Sequence, residues 1–331
     1  MQKIYNWGIL GAGSIAAKFA SDLKLLPNAR LGAVGSKSHE RAEKFAAEHG
    51  FAKSYGSYEE FAADPDIDIV YIASRHIGHY PDSLLCLNHG KAVLCEKPVA
   101  MNQGQFERMI QLAEEKDLFF MEALWTRFIP SFLRAKEIID SGKLGRITLI
   151  ESDFCFKPDY DPEGRLFNKA LGGGALLDIG LYPLFLALEF GGDIEEIKAQ
   201  AYLDERSVDR ICNMLVRHRE GILSVLYCSI VNNGRVESLI HGTEGILRMN
   251  KWWHTPTSLD LMLNDRNPVH IDFEEPGFGY QYEAEEVMRC LDQGKKQSGL
   301  FSWEHSRRLI SHLDMIRKLT GISYDKPIES V

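Results

Sequence analysis

The chain has 331 residues, about twice the length of a typical domain, so its length predicts two domains. Hydrophobic residues make up 45% and charged residues 26%, an ordinary globular composition with enough apolar side chains for a buried core. The net charge of −9, which no basic run offsets, argues against a nucleic-acid-binding protein.

The N-terminus and the cysteines indicate a cytoplasmic protein. The first ten residues, MQKIYNWGIL, enter a strand pattern at once, without the charged and long apolar regions of a signal peptide. The apolar stretch from Ala175 to Phe190 is interrupted by Asp178 and Pro183 and is expected to be too short to span a membrane. The six cysteines form no CxxC pair, so we expect reduced core residues.

The N-terminal part alternates short apolar runs with helical patterns. The predicted strands are Tyr5–Leu10, Leu31–Val34, Ile67–Ala73, Ala92–Cys95 and Leu118–Met121. The predicted helices between them are Ser14–Leu26, His39–His49, His79–His89 and Gln103–Lys116. This alternation predicts an α/β domain with a doubly wound parallel sheet of the Rossmann type, over residues 1–122.

A glycine-rich turn follows the first predicted strand and opens the first helix. Its pattern, Gly11-x-Gly13-x-x-Ala16, stands in the context that a dinucleotide-binding turn requires. The first glycine permits the tight turn, the second lets the backbone approach a pyrophosphate, and alanine is small enough for helix–strand packing. We therefore expect Gly11, Gly13, Ser14 and Ile15 to bind the pyrophosphate at a helix N-terminus.

The end of the second strand indicates which dinucleotide is bound. An NAD site favours an acidic residue there, but the first acidic residue is Glu40. Ser36 can bond a phosphate oxygen, and Lys37 and Arg41 can flank it with positive charge, so the sequence favours NADP, with NAD as the alternative. Alternatively, Lys37 and Arg41 are ordinary solvent-exposed residues at the start of a helix and bind no phosphate.

Beyond residue 123 the pattern changes to one helix, a succession of strands and two closing helices. The predicted strands are Ile147–Phe156, Ile194–Tyr202, Ile211–Arg217, Ile222–Ile230, Val236–His241 and Leu259–Leu263. The predicted helices are Ile129–Ser141, Tyr280–Gln293 and Ser302–Gly321. We expect a second, α+β domain over residues 123–331, with a large, open, mostly antiparallel sheet covered by helices on one face, which binds substrate and forms a dimer.

Several motifs resemble one known family. Glu96-Lys97-Pro98 after the fifth strand resembles the hallmark of the Gfo/Idh/MocA oxidoreductases. Met121-Glu-Ala-Leu-Trp-Thr-Arg-Phe128 and Gly172-Gly-Gly-Ala-Leu-Leu-Asp178-Ile-Gly-Leu-Tyr182 are similar to the dimeric dihydrodiol dehydrogenase group. Arg75 departs from the wider pattern, since many members carry proline there. The resemblance covers nearly the whole chain.

The resemblance implies a site and a partner. It implies a homodimer, and a set of catalytic residues: Lys97, Tyr182 as proton donor or acceptor, and Asp178. The remaining expected cofactor contacts are Ser74, His76, His79, Glu96, Lys97, Trp125 and Arg127. The expected substrate contacts are Trp125, Phe154, Asp178, Tyr182, Trp253 and Phe278. Apart from the resemblance, Trp252-Trp253 and Phe278 are candidate aromatic walls of a substrate pocket, and each is equally suited to core or interface packing.

The chemistry of these residue types agrees with that assignment. A nearby ammonium favours the phenolate of a tyrosine, so Lys97 can lower the pKa of Tyr182 for proton exchange with a carbinol. Asp178 and Tyr182 stand four residues apart, on one face of a predicted helix; alternatively, Asp178 caps that helix and Tyr182 only packs. His76 and His79 lack companion ligands, so we expect no metal; one would line the nicotinamide and the other would cap its helix.

The sequence thus predicts an NADP-linked oxidoreductase that acts on a CH–OH group of a sugar, polyol or vicinal diol. The alternatives are an NAD-preferring sugar dehydrogenase and a cofactor-binding regulator without activity. The acid–base set of Lys97, Tyr182 and Asp178 argues against the regulator. We expect no nucleic-acid or membrane partner.

Overall fold

The structure is a computed structural model that describes residues 3–331, and the chain forms two compact units. The first unit contains the residues up to Trp125, Glu275–Arg308 and Glu329–Val331; the second contains Thr126–Glu274 and Leu309–Ile328. The sequence-based division placed everything after residue 122 in one domain. The segment from residue 275 instead belongs to the first unit, where the Asp22 carboxylate accepts hydrogen bonds from the backbone N–H groups of Phe278 and Tyr280.

The first unit is built on a six-stranded, wholly parallel sheet. Its strands are β1 (Tyr5–Leu10), β2 (Ala29–Gly35), β3 (Lys53–Tyr55), β4 (Ile69–Ile72), β5 (Ala92–Glu96) and β6 (Phe120–Ala123), in the spatial order β3-β2-β1-β4-β5-β6. This confirms the predicted Rossmann-type sheet. β3 was not predicted because three half-buried residues carry no recognisable periodicity.

Six helices accompany this sheet. They are α1 (Ser14–Leu23), α2 (His39–His49), α3 (Tyr58–Ala63), α4 (His76–Asn88), α5 (Gln103–Glu115) and, from the returning segment, a helix over Gln281–Asp292. Side chains close several N-termini: Ser38 accepts from the Arg41 amide, and Asn102 accepts from the Gln105 amide. The positions of Ser38 and Asn102 therefore fix where α2 and α5 begin.

The second unit contains an eight-stranded sheet in the order β14-β13-β12-β11-β7-β10-β9-β8. The strands are β7 (Ile147–Cys155), β8 (Ile194–Leu203), β9 (Asp209–His218), β10 (Leu223–Ser229), β11 (Ser238–Gly242), β12 (Gly245–Met249), β13 (Leu259–Leu263) and β14 (Val269–Ile271). All neighbours pair antiparallel except β7 with β10. The predicted mostly antiparallel sheet is confirmed, and β12 and β14 are additional.

The remaining helices are α6 (Pro130–Asp140), α7 (Leu181–Gly191), α8 (the Gln281–Asp292 helix above), α9 (Trp303–Thr320) and α10 (Lys326–Glu329). A π-helical turn, Leu176–Gly180, runs directly into α7, which packs on β7 and β10. π-helical turns are frequent at functional sites.

One helical stretch of the described chain, Lys169–Gly191, is long and apolar enough to cross a membrane by length and composition alone. This span also includes the short 3-10 turn Lys169–Leu171, which Gly173 and Gly174 separate from the continuous helix that begins at Ala175, where the apolar stretch that was expected to be too short also begins. Its most apolar window is 94% buried inside the protein, as in the core helix of a soluble protein.

Candidate active site

The glycine turn between β1 and α1 has the geometry of a phosphate-binding turn. Gly11 adopts a φ of 109°, and a Cβ there would lie 2.7 Å from the carbonyl oxygen of Ala73, so only glycine fits. A Cβ on Gly13 would meet nothing within 4 Å, which leaves open space in front of the first amides of α1. No acidic residue stands in the first turn of α1. A dinucleotide pyrophosphate therefore fits at this helix N-terminus.

Positive charge gathers at the end of β2. The Ser36 hydroxyl is buried and accepts hydrogen bonds from Arg41 Nε at 2.9 Å and from the Ser38 amide at 3.3 Å. The Lys37 ammonium lies 5.5 Å from the centre of the Tyr58 ring. Burial raises the pKa of Tyr58 to about 12, while the charges of Arg41 and Arg75 oppose that rise. Three cations, Lys37, Arg41 and Arg75, and one acid, Asp82, thus lie near Tyr58.

The loop that carries Lys97 is fixed by buried side chains on both sides of the lysine. The Lys97 amide donates to Glu96 Oε2 at 3.1 Å, and the Val99 amide donates to Glu122 Oε1 at 3.0 Å. The Tyr71 hydroxyl donates to the other oxygen of Glu96. The Lys97 side chain itself is only half-buried. The backbone of the loop is therefore fixed on both sides of Lys97, which follows β5 at the carboxyl edge of the sheet.

His79 belongs to the scaffold of the same loop. Its Nδ1 lies 2.7 Å from the carbonyl oxygen of Pro98, and its Nε2 lies 3.1 Å from that of Ser74. Burial, with the nearby charges of His76 and Lys97, lowers the pKa of His79 to about 3. The ring is neutral at neutral pH and has one hydrogen to donate, which we assign to the shorter contact.

The structure corrects the expected roles of the two histidines. α4 begins at His76, and its N-cap residue is Arg75, which makes no capping bond with its side chain. Neither histidine caps the helix. His79 is also excluded as a titrating group near neutrality, since its pKa is about 3. Within residues 3–331 no group of three or more His, Cys, Asp or Glu side chains is arranged to hold a metal ion.

Two buried acids in the first unit were not found from the sequence. Burial raises the pKa of Glu122 to about 7, and burial together with Glu96 and Asp22 raises the pKa of Glu283 well above its usual range. Burial thus favours the protonated form of both carboxyls, and Glu122 is about half-protonated at neutral pH. Glu122 is part of the Met121–Phe128 motif, so the family resemblance could have pointed to it. Glu283 lies in α8, far along the chain, and no local sequence pattern marks it.

Aromatic side chains line another part of the first unit. Trp125 stacks on Tyr280 with a ring separation of 4.3 Å. Phe278 is 47% exposed, with the Lys18 ammonium 5.4 Å from its ring centre. These positions remain consistent with the expected cofactor or substrate contacts of Trp125 and Phe278. Tyr280, which the sequence analysis did not single out, joins them.

In the second unit, Tyr182 lies in a cluster of aromatic rings. It is buried in the first turn of α7, with ring separations of 5.5 Å to Phe154 and 5.2 Å to His254. Phe154 stacks on His254 at 3.9 Å, and Trp252 meets Phe154 edge-on at 6.4 Å. His254 was missed by the sequence analysis, although it directly follows the Trp252-Trp253 pair.

Trp253 does not line this cluster as a pocket wall. Its side chain has no exposed surface, and its indole N–H donates to the carbonyl oxygen of Asp153 at 3.0 Å. The exposed member of the pair is Trp252, at 43%. The wall role expected of Trp253 is therefore wrong, because the residue is part of the core, while the same role for Trp252 stays a prediction.

Asp178 is buried within the π-helical turn and accepts a hydrogen bond from Arg165 Nη1 at 2.9 Å. It does not cap the helix, because the Leu176 amide at the helix start donates to Asp209 Oδ2 instead, at 2.6 Å. Arg127 is also in this unit, buried and paired with Glu189 at 3.3 Å. The charge of Arg127 is therefore paired with an acid of α7, and its expected role in cofactor binding stays a prediction.

Each unit offers its own part of hydride-transfer chemistry. In the first unit the glycine turn and the cationic end of β2 suit a dinucleotide, and Lys97 supplies positive charge; in the second unit Tyr182 supplies a transferable proton. Asp178 adds a carboxylate one helical turn from Tyr182.

Comparison with protein families supports this chemistry. Residues 5–124 match an oxidoreductase family with an NAD-binding Rossmann fold, GFO/IDH/MocA, and residues 132–248 match the GFO/IDH/MocA C-terminal domain. The chain is 36% identical to a trans-1,2-dihydrobenzene-1,2-diol dehydrogenase of Danio rerio and 35% identical to that of Mus musculus. The alignments cover 97% and 96% of this chain and 98% of each relative.

A solved structure is similar over the same extent. It is that of a 3-ketoreductase from Actinomadura kijaniata in complex with NADP and TDP-benzene, with a TM-score of 0.87 and 25% identity. The similarity covers 96% of this chain and 98% of the ketoreductase.

Proposed function

The chain belongs to the GFO/IDH/MocA oxidoreductase family, and we propose that it transfers hydride between NADP and a CH–OH group of a vicinal diol, sugar or polyol. That it is an NAD(P)-dependent oxidoreductase follows from the family and its named relatives. One observation supports the proposed hydride transfer most directly. The Gly11–Gly13 turn and the half-buried Lys97 both lie at the carboxyl edge of the same parallel sheet.

The preference for NADP is supported by the end of β2. Ser36 and Arg41 are already bonded to each other, and Lys37 lies on the neighbouring Tyr58 ring. No carboxylate stands at the strand end, where it would bond the 2′-hydroxyl of NAD and repel a 2′-phosphate. The similar ketoreductase was crystallised with NADP.

A substrate with an apolar ring or carbon skeleton suits the second unit. Phe154 and His254 pack against Tyr182, and the exposed Trp252 packs against Phe154 and His254. The named relatives act on trans-1,2-dihydrobenzene-1,2-diol, which has such a ring beside its two hydroxyls. A sugar presents hydroxyls to Asp178 and one apolar face to the same rings.

In the proposed reaction the residues of the chain orient the substrate and move its proton. The bound nicotinamide supplies the hydride acceptor or donor. Tyr182 takes the hydroxyl proton in the oxidation direction and returns it in reduction. Lys97 stabilises negative charge as it develops on the substrate oxygen, and Asp178, held by Arg165, orients a neighbouring hydroxyl.

The assay that tests this proposal uses the purified protein with NADP+ and a panel of dihydrodiols, aldoses and anhydrosugars. We expect a substrate-dependent rise in the absorbance of the reduced nicotinamide with at least one member, and no rise with Tyr182→Phe under the same conditions. Tight NADP binding without turnover on any member would contradict the proposal and favour a cofactor-binding regulator.

We also propose a homodimer formed through the uncovered face of the eight-stranded sheet. β9 and β10 present Leu215, Leu223, Val225 and Tyr227 on that face, each at least 36% exposed, and Leu215 pairs in register with Val225. A contiguous apolar face of this kind favours burial against a second copy. Light scattering should give a dimer mass for the native chain and a monomer mass for Leu215→Asp with Val225→Asp, with Leu25→Asp as the exposed-leucine control.

The proposed location is the cytoplasm. All six cysteines are buried, and no disulfide joins any two of them in the described chain. This pattern supports a reducing compartment.

A further inference from the structure

The helical segment that carries Asp178 and Tyr182 begins without a cap of its own. Its first residue, Leu176, follows Ala175, which has no side chain that could accept a hydrogen bond. Buried amides at a helix start need an acceptor, and an uncapped start frays or shifts. The start of this segment is fully buried, so water does not replace the cap.

A residue from a distant strand supplies the acceptor. Asp209, at the beginning of β9, is 1% exposed, and its Oδ2 accepts from the Leu176 amide at 2.6 Å. Burial raises the pKa of Asp209 to about 7, while its hydrogen bonds from the amides of Leu176 and Ala175 oppose that rise and favour the charged form, which complements the positive end of the helix dipole. Asp209 therefore acts as an N-cap that is 33 residues away in sequence.

The glycine turn before the helix is shaped to admit that carboxylate. Gly174 has a φ of 136°, and a Cβ there would lie 2.0 Å from Asp209 Oδ1. Any side chain at position 174 would displace the carboxylate. The close approach of Asp209 explains why the turn ends in glycine.

A second anchor holds the same turn from the C-terminal part of the unit. The Tyr324 hydroxyl donates to the carbonyl oxygen of Gly173 at 3.0 Å, and the Arg317 guanidinium lies 5.1 Å from the centre of the Tyr324 ring. Asp209 and Tyr324 thus bond to backbone groups three residues apart, the Leu176 amide and the Gly173 carbonyl, shortly before Asp178 in the chain.

We propose that Asp209 is a positioning residue: with Tyr324 it fixes the start of the helical segment, and thereby sets where Asp178 and Tyr182 meet the substrate. The proposal rests on the proposed function, since it gives Tyr182 the acid–base role. Misplacing a reacting group by about 1 Å can cost about 100-fold in rate. Cofactor binding, which uses the glycine turn of the first unit, is not involved.

The test compares four variants with the native enzyme in steady-state kinetics, NADP binding and thermal unfolding. Asp209→Ala removes the acceptor, and Asp209→Asn keeps an acceptor oxygen for the Leu176 amide. Tyr324→Phe removes the second anchor. Ser224→Ala is the matched control, because it removes a buried hydrogen bond of 2.8 Å to His218, whose other ring nitrogen lies 3.2 Å from the carbonyl oxygen of Gly192 at the opposite end of α7.

We expect Asp209→Ala to lower kcat about 10- to 100-fold while the Kd for NADP stays within about two-fold of the native value. Asp209→Asn should restore most of kcat. Tyr324→Phe should lower kcat about three- to ten-fold, and it decides the question if Asp209→Ala does not fold. Ser224→Ala should lower the melting temperature but leave kcat unchanged, which separates positioning from stability.

Two results would overturn the inference. One is a kcat for Asp209→Ala, or for Tyr324→Phe if the former is unfolded, that is no lower than that of Ser224→Ala. The other is an equal loss in Asp209→Asn and Asp209→Ala. Tyr182→Phe is measured in the same experiments. If Tyr182→Phe keeps its activity, the proposed function is contradicted. If Tyr182→Phe loses activity but the Asp209 and Tyr324 variants do not, the proposed function is retained and only the positioning role of Asp209 is rejected.

Discussion

The loop that carries Lys97 and the helical turn that carries Asp178 are held in place by different kinds of contact. Lys97 is flanked by Glu96 and Glu122, which stand on β5 and β6, two neighbouring strands of one sheet. The turn before Asp178 depends on Asp209 and Tyr324, which lie 33 and 151 residues from their partners. One support comes from adjacent strand ends, whereas the other is assembled from distant parts of the chain.

The difference teaches how each region tolerates change. In a doubly wound sheet, the carboxyl ends of the strands always lie at one edge, so the topology alone brings the Lys97 loop near the glycine turn. In the second unit no such topological rule brings Asp209 next to the helix start that follows the Gly172–Gly174 turn. Its geometry depends on individual side-chain contacts, and single substitutions there should have sharper effects on catalysis than on the fold.

The largest effect is expected at Lys97 itself. Lys97→Met removes a charge and a hydrogen-bond donor from the reacting centre, so kcat should fall by about 10³-fold, while the Kd for NADP, measured by nicotinamide fluorescence, changes little. Lys44→Met, an exposed lysine of α2, is the control. A loss of less than ten-fold in Lys97→Met would show that the rigid loop serves only to bind the cofactor.

A smaller effect is expected at the cationic end of β2. Lys37→Ala combined with Arg41→Ala should weaken NADP about 10- to 100-fold and leave NAD nearly unchanged, because a charge-assisted bond to phosphate contributes roughly 1.5–3 kcal/mol. Arg30→Ala, on an exposed position earlier in β2, controls for charge alone. An unchanged ratio of NADP to NAD affinity would reject the assignment of the 2′-phosphate site.

The smallest effect concerns the support of the Lys97 loop. The pKa of Glu122 is raised from 4.5 to about 7 by burial, so the folded state holds its proton more tightly than the unfolded state. The stability that this protonation contributes is present below pH 4.5 and is lost as the pH rises through about 7. Glu122→Gln keeps an acceptor for the Val99 amide and never ionises.

Thermal unfolding at two pH values checks this prediction. The melting temperatures of Glu122→Gln and the native chain should be similar near about pH 4, and the variant should be higher by a few degrees near about pH 8. Glu59→Gln, a fully exposed acid, should not reproduce that gain. A difference that does not vary with pH would mean that folding does not change the pKa of Glu122.

The parts of the structure that follow local rules could be predicted from the sequence. The alternating apolar runs indicated the parallel sheet, and Gly11 and Gly13 marked the tight turn between β1 and α1, because strand, turn and helix are contiguous in the chain. The long strands of the second unit were recognised by the same means. β3 and β14 were not, since three residues are too few to show a period.

The parts that depend on tertiary contacts could not be predicted. The cap of the Asp178 helix was sought in Asp178 itself, the nearest acid, but the acceptor is Asp209, on a strand that the local pattern cannot connect to it. The sequence does not distinguish Trp252 from Trp253. In the structure Trp252 has a positive φ of 63° and an exposed ring, whereas the ring of Trp253 is buried and donates to the Asp153 carbonyl. Glu283 likewise reaches the first unit only through the returning segment.

The central claim is that Tyr182 exchanges the substrate proton, and Tyr182→Phe tests it most directly. This substitution removes only the hydroxyl and leaves the ring packed against Phe154 and His254. Under conditions where the chemical step limits turnover, kcat should fall by about 10²–10⁴-fold, with the Kd for NADP near the native value. A variant that keeps more than about a tenth of the native kcat would contradict the account and leave the proton to another group.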